Sequence, residues 1–286
     1  MSIDFSFVEY TAPLDLREYN TQRLSDLGFV PRVNHVLHDI TLWCQNHTIL
    51  MIKHTDTVQE AGVSGLGFIA DQVVIDNLEP EYDSEAGMFV ANDQGNLRTL
   101  LAPVDDILGL QKSLEENYIM LDDRRHSNPG LKYISGVRYN CANPRMMDFY
   151  QDLGFGFTRS TESYNTMVSK NRRFSMMCNK LNNTGNVTTL ICDTDDVFVS
   201  TAGFVSRGIE LARYQNQTDN LDFGKLTHKV LGYDCLAQGT KDSYSIENFI
   251  PEALPNLDIV FRMRKRYLDI AEHTLDYHYD KDHIDS

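Results

Sequence analysis

A four-residue segment typical of a helix end occurs twice in this 286-residue chain, with the two copies about 125 residues apart. It reads Asp-Leu-Gly-Phe at residues 26–29 and again at residues 152–155. Each copy follows a stretch with the apolar spacing of a helix, and glycine favours the left-handed conformation in which helices end. Strand-like stretches lie on both sides of each helix. A repeat of this length is too long for a solenoid and predicts two duplicated domains.

Each copy is predicted to open with a β-α-β-β-β module, because alternating strand patterns surround the helix. In the first copy the strands and helix are expected, in chain order, at residues 5–10, 14–27, 32–35, 40–44 and 48–53. In the second copy they are expected at residues 133–141, 144–153, 166–169 and 173–178.

A second module is predicted behind each of these. In the second domain it contains a strand at residues 187–192 and a helix at 197–207, which Asp195 or Asp196 caps and Gly208 ends. In the first domain the pattern becomes irregular after residues 65–70, which predicts a shortened module. The predicted domains span residues 1–122 and 123–268, and a polar tail occupies residues 269–286.

Composition narrows the possible partners. The chain has 41 acidic and 26 basic residues, and its net charge of −15 disfavours nucleic acid and anionic membrane surfaces. There is no run of 18 apolar residues that could span a bilayer. The five cysteines are widely spaced and form no C-x-x-C pair. We therefore expect a cytoplasmic protein with free thiols.

Two segments carry a resemblance to a known family. Residues 28–45 read GFVPRVNHVLHDITLWCQ and residues 130–140 read GLKYISGVRYN. With the order of the modules, they resemble 4-hydroxyphenylpyruvate dioxygenases, which belong to the vicinal oxygen chelate (glyoxalase/bleomycin resistance/dioxygenase) superfamily. The resemblance implies an α+β fold with two glyoxalase-like domains, each built from paired βαβββ modules that form a curved, half-open barrel.

The same resemblance implies where an iron site would lie. The family holds Fe(II) in its second domain with two histidines and one carboxylate, each on a different strand. The matching positions here are Gly136, Thr189 and Arg262. None of these side chains is a good iron ligand, so we expect that the iron site has been lost and that no metal cofactor is bound.

We expect arginine side chains to bind the ligand in place of a metal ion. Strand alternation places Arg138 on the face of Gly136, and Arg264 on the face of Arg262. A guanidinium binds carboxylates through paired hydrogen bonds, so the predicted ligand is a small anionic molecule. The predicted binding residues are Arg138, Arg262, Thr189, Gly136 and Arg264. The alternative is an internal ion network in which Asp193 or Asp258 neutralises the arginines.

Two further functions stay open at this stage. One is an active dioxygenase whose Fe(II) is held by displaced ligands such as His228 or Glu247. The other is a non-enzymatic interaction protein, with homodimerisation as the expected mode. The histidines do not favour the first of these, because none forms an H-x-H or H-E-x-x-H motif.

Overall fold

The computed structural model describes residues 3–84, 87–92, 97–103, 118–121, 130–141, 143–182, 184–211, 228–230, 233–240 and 243–266. The backbone alone is described at residues 103, 118, 120, 228–230, 233–240, 243–244 and 264–266. The predicted domain boundary at residues 122–129 and the predicted tail at 269–286 lie outside the described residues and stay predictions.

Four helices occur in the described residues, one in each module: α1 (Arg17–Leu27), α2 (Gln72–Leu78), α3 (Pro144–Asp152) and α4 (Val197–Ser206). A single 3-10 turn, Leu14–Leu16, precedes α1. With seven residues, α2 is the shortest of the four. No described helix has both the length and the apolar character required to cross a membrane.

The helix ends follow the chemistry of the sequence. Gly28 and Gly154 adopt φ values of 90° and 94°, which a residue with a Cβ rarely adopts. The following Phe29 and Phe155 are buried, so each Asp-Leu-Gly-Phe segment ends a helix and returns the chain to the core. At the start of α4, Asp196 caps the helix by accepting hydrogen bonds from the backbone of Phe198 and Val199.

The first sheet has nine strands in the order β6-β7-β8-β5-β1-β4-β3-β2-β9. Their bounds are β1 (Ile3–Pro13), β2 (Val30–His35), β3 (Ile40–Gln45), β4 (Thr48–Thr55), β5 (Gly62–Ala70), β6 (Glu81–Asp83), β7 (Met88–Asn92), β8 (Arg98–Pro103) and β9 (Tyr118–Met120). Strands β1 and β5 are antiparallel and join the two modules at the centre of the sheet.

The second sheet repeats this arrangement in the order β11-β12-β13-β10-β14-β18-β17-β16-β15. Its strands are β10 (Tyr133–Asn140), β11 (Phe155–Ser160), β12 (Tyr164–Ser169), β13 (Ser175–Asn179), β14 (Asn186–Asp193), β15 (His228–Val230), β16 (Tyr233–Thr240), β17 (Ser243–Leu254) and β18 (Leu257–Arg266). The α+β class and the paired β-α-β-β-β modules are therefore confirmed.

The helices cover one face of each sheet. Leu24 of α1 and Phe204 of α4 belong to a large apolar cluster with strand residues such as Val8, Val137 and Phe261. The same cluster joins the two sheets, where Phe5 and Phe174 stack with ring centroids 4.1 Å apart. The opposite face of each sheet, which has no helix of this cluster on it, is called the inner face below.

Candidate ligand site on the inner face of the second sheet

The three positions matched to iron ligands lie on neighbouring strands. Gly136 is on β10, Thr189 on β14 and Arg262 on β18, and β14 lies between the other two. Across these strands Gly136 is opposite Ile191, Arg138 is opposite Thr189, and Asp193 is opposite Arg262. Because strand residues alternate between faces, these side chains share one face.

That face is the inner one. The alternate residues Val137, Leu190 and Phe261 are fully buried in the cluster that contains the helices. Phe204 of α4 packs against Phe261 with ring centroids 5.1 Å apart. Arg138, Thr189 and Arg262 are sequence neighbours of these buried residues in their strands. Their side chains therefore face away from the helices.

Gly136 has no room for a side chain. It follows a β-bulge between Ile134 and Gly136, and a Cβ built on it would lie 2.6 Å from the backbone oxygen of Ser175. Such a contact requires the strands to move apart, since real Cβ atoms do not approach oxygen so closely. The backbone of this chain thus closes the position that the resemblance gives to the first histidine.

Arg262 takes part in an internal hydrogen-bond network. Its Nε donates to Asp193 Oδ1 over 3.1 Å, and its Nη2 donates to Ser135 Oγ over 3.2 Å. Ser135 in turn donates to Asp193 Oδ1 over 2.5 Å, and Tyr133 donates to Asp193 Oδ2 over 2.9 Å. The side chains of Arg262 and Asp193 are 19% and 8% exposed. Arg262 is therefore paired as the ion-network alternative expects.

Asp258, the other carboxylate of that alternative, has a different partner. Its Oδ1 accepts a hydrogen bond from the backbone of Glu252 over 2.9 Å. Thr189, which lies opposite Asp258, is buried, and its hydroxyl oxygen is 3.5 Å from that of Thr188. Neither residue binds a guanidinium in the described part of the chain.

Arg138 differs from Arg262 in its surroundings. It is half-buried, and its Nε is buried with no hydrogen-bond partner in the structure. A buried donor without a partner costs free energy, so such a group is a natural place for a ligand to bind. The charge of Arg138 lowers the pKa of the described carboxyl group of Glu247.

Glu247 is the most buried acidic side chain near this arginine. It lies on β17 opposite Arg262 and is 5% exposed. Burial raises the pKa of its carboxyl group, while the charges of Arg138 and Arg262 lower it by less. Two strands, β14 and β18, separate β10 from β17 on this face, and the charge of Arg138 still acts on Glu247. Glu247 makes no hydrogen bond to another described side chain.

Apolar side chains complete this surface. Ile191 and Val260 are buried on the same face, between the two arginines along the sheet, and the half-buried Phe249 lies opposite Val260. The surface therefore combines a guanidinium, a carboxyl group and a small apolar floor, as ligand sites commonly do.

Some predicted site residues cannot be placed. The side chains of Arg264 and His228 lie outside the described residues, although both residues belong to strands. Sequence reasoning did not find Ser135 or Tyr133. Ser135 is the extra residue of a β-bulge, and no signal in the sequence marks that bulge.

The described donor set does not fit an iron triad. Gly136 offers no side chain, Thr189 offers a hydroxyl, and Arg262 brings a positive charge that repels a metal ion. Within the described ranges no three His, Cys, Asp or Glu residues are grouped to hold a metal ion. Of the described carboxyl groups on this face, Asp193 and Glu247 lie beside arginines, and Asp258 accepts a hydrogen bond from the backbone of Glu252.

No protein-family model and no curated protein matches the chain. Among solved structures, it is similar to a xylose isomerase-like TIM barrel/4-hydroxyphenylpyruvate dioxygenase fusion protein, with a TM-score of 0.71 and 12% identity over 91% of this chain. The match covers 49% of that protein, so the chain spans about half of its length.

Two further solved structures match over nearly the full length of both chains. A triple mutant of 4-hydroxymandelate synthase from Streptomyces coelicolor has a TM-score of 0.65 and 15% identity, and covers 93% of each chain. The 2,2',3-trihydroxybiphenyl 1,2-dioxygenase from Sphingomonas wittichii has a TM-score of 0.53 and 12% identity, and covers 93% of this chain and 92% of its own. The chain therefore shares the fold of these three proteins.

Proposed function

We propose that this protein is a divergent relative of the 4-hydroxyphenylpyruvate dioxygenases that has lost the iron triad and binds a small carboxylate molecule. The site is the inner face of the second sheet. Arg138 is the residue that binds the carboxylate, and Ile191, Val260 and Phe249 contact the apolar part of the ligand. The observation that carries the proposal is the buried Nε of Arg138, which lacks a partner in the structure.

The first support is the nature of the three replaced positions. A single replacement could reflect a shifted alignment, but Gly136, Thr189 and Arg262 lie on three neighbouring strands and face the same side. Arg262 already has Asp193 as its partner. We therefore assign Arg262 a supporting role and Arg138 the direct contact with ligand.

The second support is electrostatic. A guanidinium in a half-buried position attracts a carboxylate more strongly than one in bulk water, because the local dielectric constant is lower. The hydrogen bond that Arg138 Nε lacks is the kind that a ligand carboxylate supplies. Arginine cannot avoid the cost by losing its proton.

The proposal is tested by calorimetric titration of 3-phenylpropionate into the purified protein. We expect binding to the wild type, and a loss of at least tenfold in affinity for Arg138→Gln, which removes one charge-assisted interaction. The matched control is Arg145→Gln, since Arg145 is exposed on α3 and should leave the affinity unchanged. Absence of binding by any tested carboxylate, or equal affinity in Arg138→Gln, would overturn the proposal.

A second candidate is a metal-dependent dioxygenase with displaced ligands, and the buried Glu247 is the observation that favours it. The arginines beside Glu247 disfavour a cation there. Elemental analysis of protein purified without chelators separates the two: metal below one tenth of an equivalent supports the first proposal, and a stoichiometric transition metal supports the second. A homodimer stays a prediction that a sedimentation measurement can check.

A further inference from the structure

The described molecule offers three clusters of buried polar groups beyond the positions assigned to carboxylate binding. One is Glu9 with Arg98 and Asp83 in the first domain, and another is His54 between Asn20 and Asp39. Each of these two is paired in part: Arg98 donates to Glu9 and Asp83, and Asn20 contacts the ring of His54. The third is Glu247, whose carboxyl group is buried beside the proposed site without a hydrogen bond to a described side chain.

Glu247 is not part of the network around Arg262. The backbones of the two residues are paired, yet Arg262 directs its Nε to Asp193 and its Nη2 to Ser135. No ion pair within 4.0 Å joins Glu247 to Arg262 or Arg138 among the described residues. The carboxyl group therefore keeps its hydrogen-bonding capacity for something else.

Glu247 is 5% exposed, and a largely buried carboxyl group that receives no hydrogen bond from the described side chains is costly in the free protein. The cost is removed when a ligand supplies a hydrogen-bond donor to Glu247. On the same face, Nε of Arg138 has no hydrogen-bond acceptor. Arg138 thus needs an acceptor, and Glu247 needs a donor. One ligand with an acceptor and a donor can satisfy both groups at once.

We infer that the ligand of this site carries a donor group, an ammonium or a hydroxyl, beside its carboxylate, with Glu247 binding the donor and Arg138 binding the carboxylate. This inference rests on the proposed function, since it takes Arg138 as the carboxylate contact. The ligand class is accordingly that of α-amino acids and α-hydroxy acids. An apolar side chain on the ligand fits the floor of Ile191, Val260 and Phe249.

Four probes that share a phenylethyl unit test the inference by calorimetry: L-phenylalanine, L-3-phenyllactate, 3-phenylpropionate and 2-phenylethylamine. Phenylalanine or phenyllactate should bind at least tenfold more tightly than 3-phenylpropionate, because only they satisfy Glu247. The amine without a carboxylate should bind most weakly, because it leaves Arg138 without an acceptor. The wild-type series alone tests the inference if a variant fails to fold.

Glu247→Gln tests the role of the residue directly. It should reduce the affinity for phenylalanine at least tenfold and leave that for 3-phenylpropionate within twofold. Glu162→Gln, at an exposed position of the same domain, is the matched control and should change neither. Circular dichroism and a thermal melt establish that each variant is folded.

The outcomes separate this inference from the proposed function. If 3-phenylpropionate binds through Arg138 as tightly as phenylalanine, and Glu247→Gln changes nothing, the donor contact is wrong and the carboxylate site stands. If none of the four probes binds, the proposed function fails, and this inference fails with it. An equal loss of affinity for all the carboxylate probes in Glu247→Gln would also overturn the inference, because that pattern indicates a structural role for Glu247.

Discussion

The two sheets share the order of eight strands and differ in the edge at which the ninth is added, and their inner faces differ in character. The first inner face is filled by an apolar cluster of Phe7, Val33, Ile40, Leu42, Met51, Met88 and Leu100. The second carries Arg138, Asp193, Glu247 and Arg262 with only a few apolar residues between them. The fold therefore accommodates both a mainly apolar inner face and a charged one.

The strand registers show which positions correspond. β1 and β10 both have bulges, between Phe5 and Phe7 in the first sheet and between Ile134 and Gly136 in the second. Phe7 thus corresponds to Gly136, where one domain has a large apolar ring and the other has no side chain.

The charges at the next inner position are reversed. Glu9 of β1 corresponds to Arg138 of β10, since each follows the bulge by the same number of residues. Glu9 has a cationic partner, Arg98, whose nitrogen is 3.2 Å away. Arg138 has no partner at that distance among the described residues. In the first domain, Glu9 is paired with an arginine of the same domain. In the second domain, no described side chain pairs with Arg138 at that distance.

The largest expected effect tests the packing of the first inner face. Leu100→Ala removes a fully buried side chain and should destabilise the protein by about 2–5 kcal/mol, because the cluster cannot refill the cavity. Leu37→Ala, at a position that is 82% exposed, is the matched control and should cost at most about 0.5 kcal/mol. Urea unfolding measures both. Equal effects would contradict a packed first face.

The next effect tests the ion network of the second inner face. Asp193→Ala removes the carboxylate partner of the partly buried Arg262. We expect it to lower the free energy of unfolding by about 3 kcal/mol. Asp195→Ala, which removes the exposed partner of Lys132, should cost no more than about 1 kcal/mol. Denaturant midpoints compare the two, and a cost for Asp193→Ala as small as that of the control would show that the network is not structural.

Gly136→Ala tests the closed position on β10. The added methyl group would meet the backbone oxygen of Ser175, so we expect a loss of about 1–3 kcal/mol from the shift of the strands. Gly156→Ala on β11 places its methyl group in open space and serves as the control. Thermal melts of the two variants check this. A neutral Gly136→Ala would mean that the position can accept a side chain.

The smallest expected effect is the pH dependence contributed by Glu9. Burial raises its pKa above the ordinary value of 4.5, more than Arg98 and Lys53 lower it. The folded protein then binds more protons than the unfolded chain between these two pKa values, so this contribution to stability is lost as the pH rises. The free energy of unfolding of Glu9→Gln relative to wild type should therefore increase with pH.

Glu60→Gln is the control for this experiment, because Glu60 is exposed. Unfolding in urea at several pH values between 4.5 and 8 measures both variants. A difference between Glu9→Gln and wild type that stays constant over this range would contradict a raised pKa.

Much of the fold could be predicted from local signals. The helix ends at Gly28 and Gly154 depend on glycine chemistry, and the repeat of Asp-Leu-Gly-Phe predicted the duplication of the modules. The predicted strands around Arg138 and Thr189 agree with β10 and β14 within a residue or two. Strands such as β11 were missed because five of its six residues are exposed and no apolar alternation marks it.

The candidate site could be predicted only in part. Strand alternation placed Gly136 and Arg138 on one face, because alternation is a local property of a strand. The bond of Arg262 to Asp193 was one of two open alternatives, since the pairing of distant strands decides which carboxylate a guanidinium reaches. The place of Glu247 on the face of Arg138 depends on the pairing of β10, β14, β18 and β17, which are distant in the chain.

The sequence by itself determined the duplicated modules, the helix ends and the residue types at positions 136, 189 and 262, because these depend on residue type and local spacing. Only the tertiary structure decided which face is packed, which arginine is already paired and which carboxyl group lies buried near the arginines. Those properties depend on register, bulges and sheet curvature, through which residues far apart in the chain come into contact.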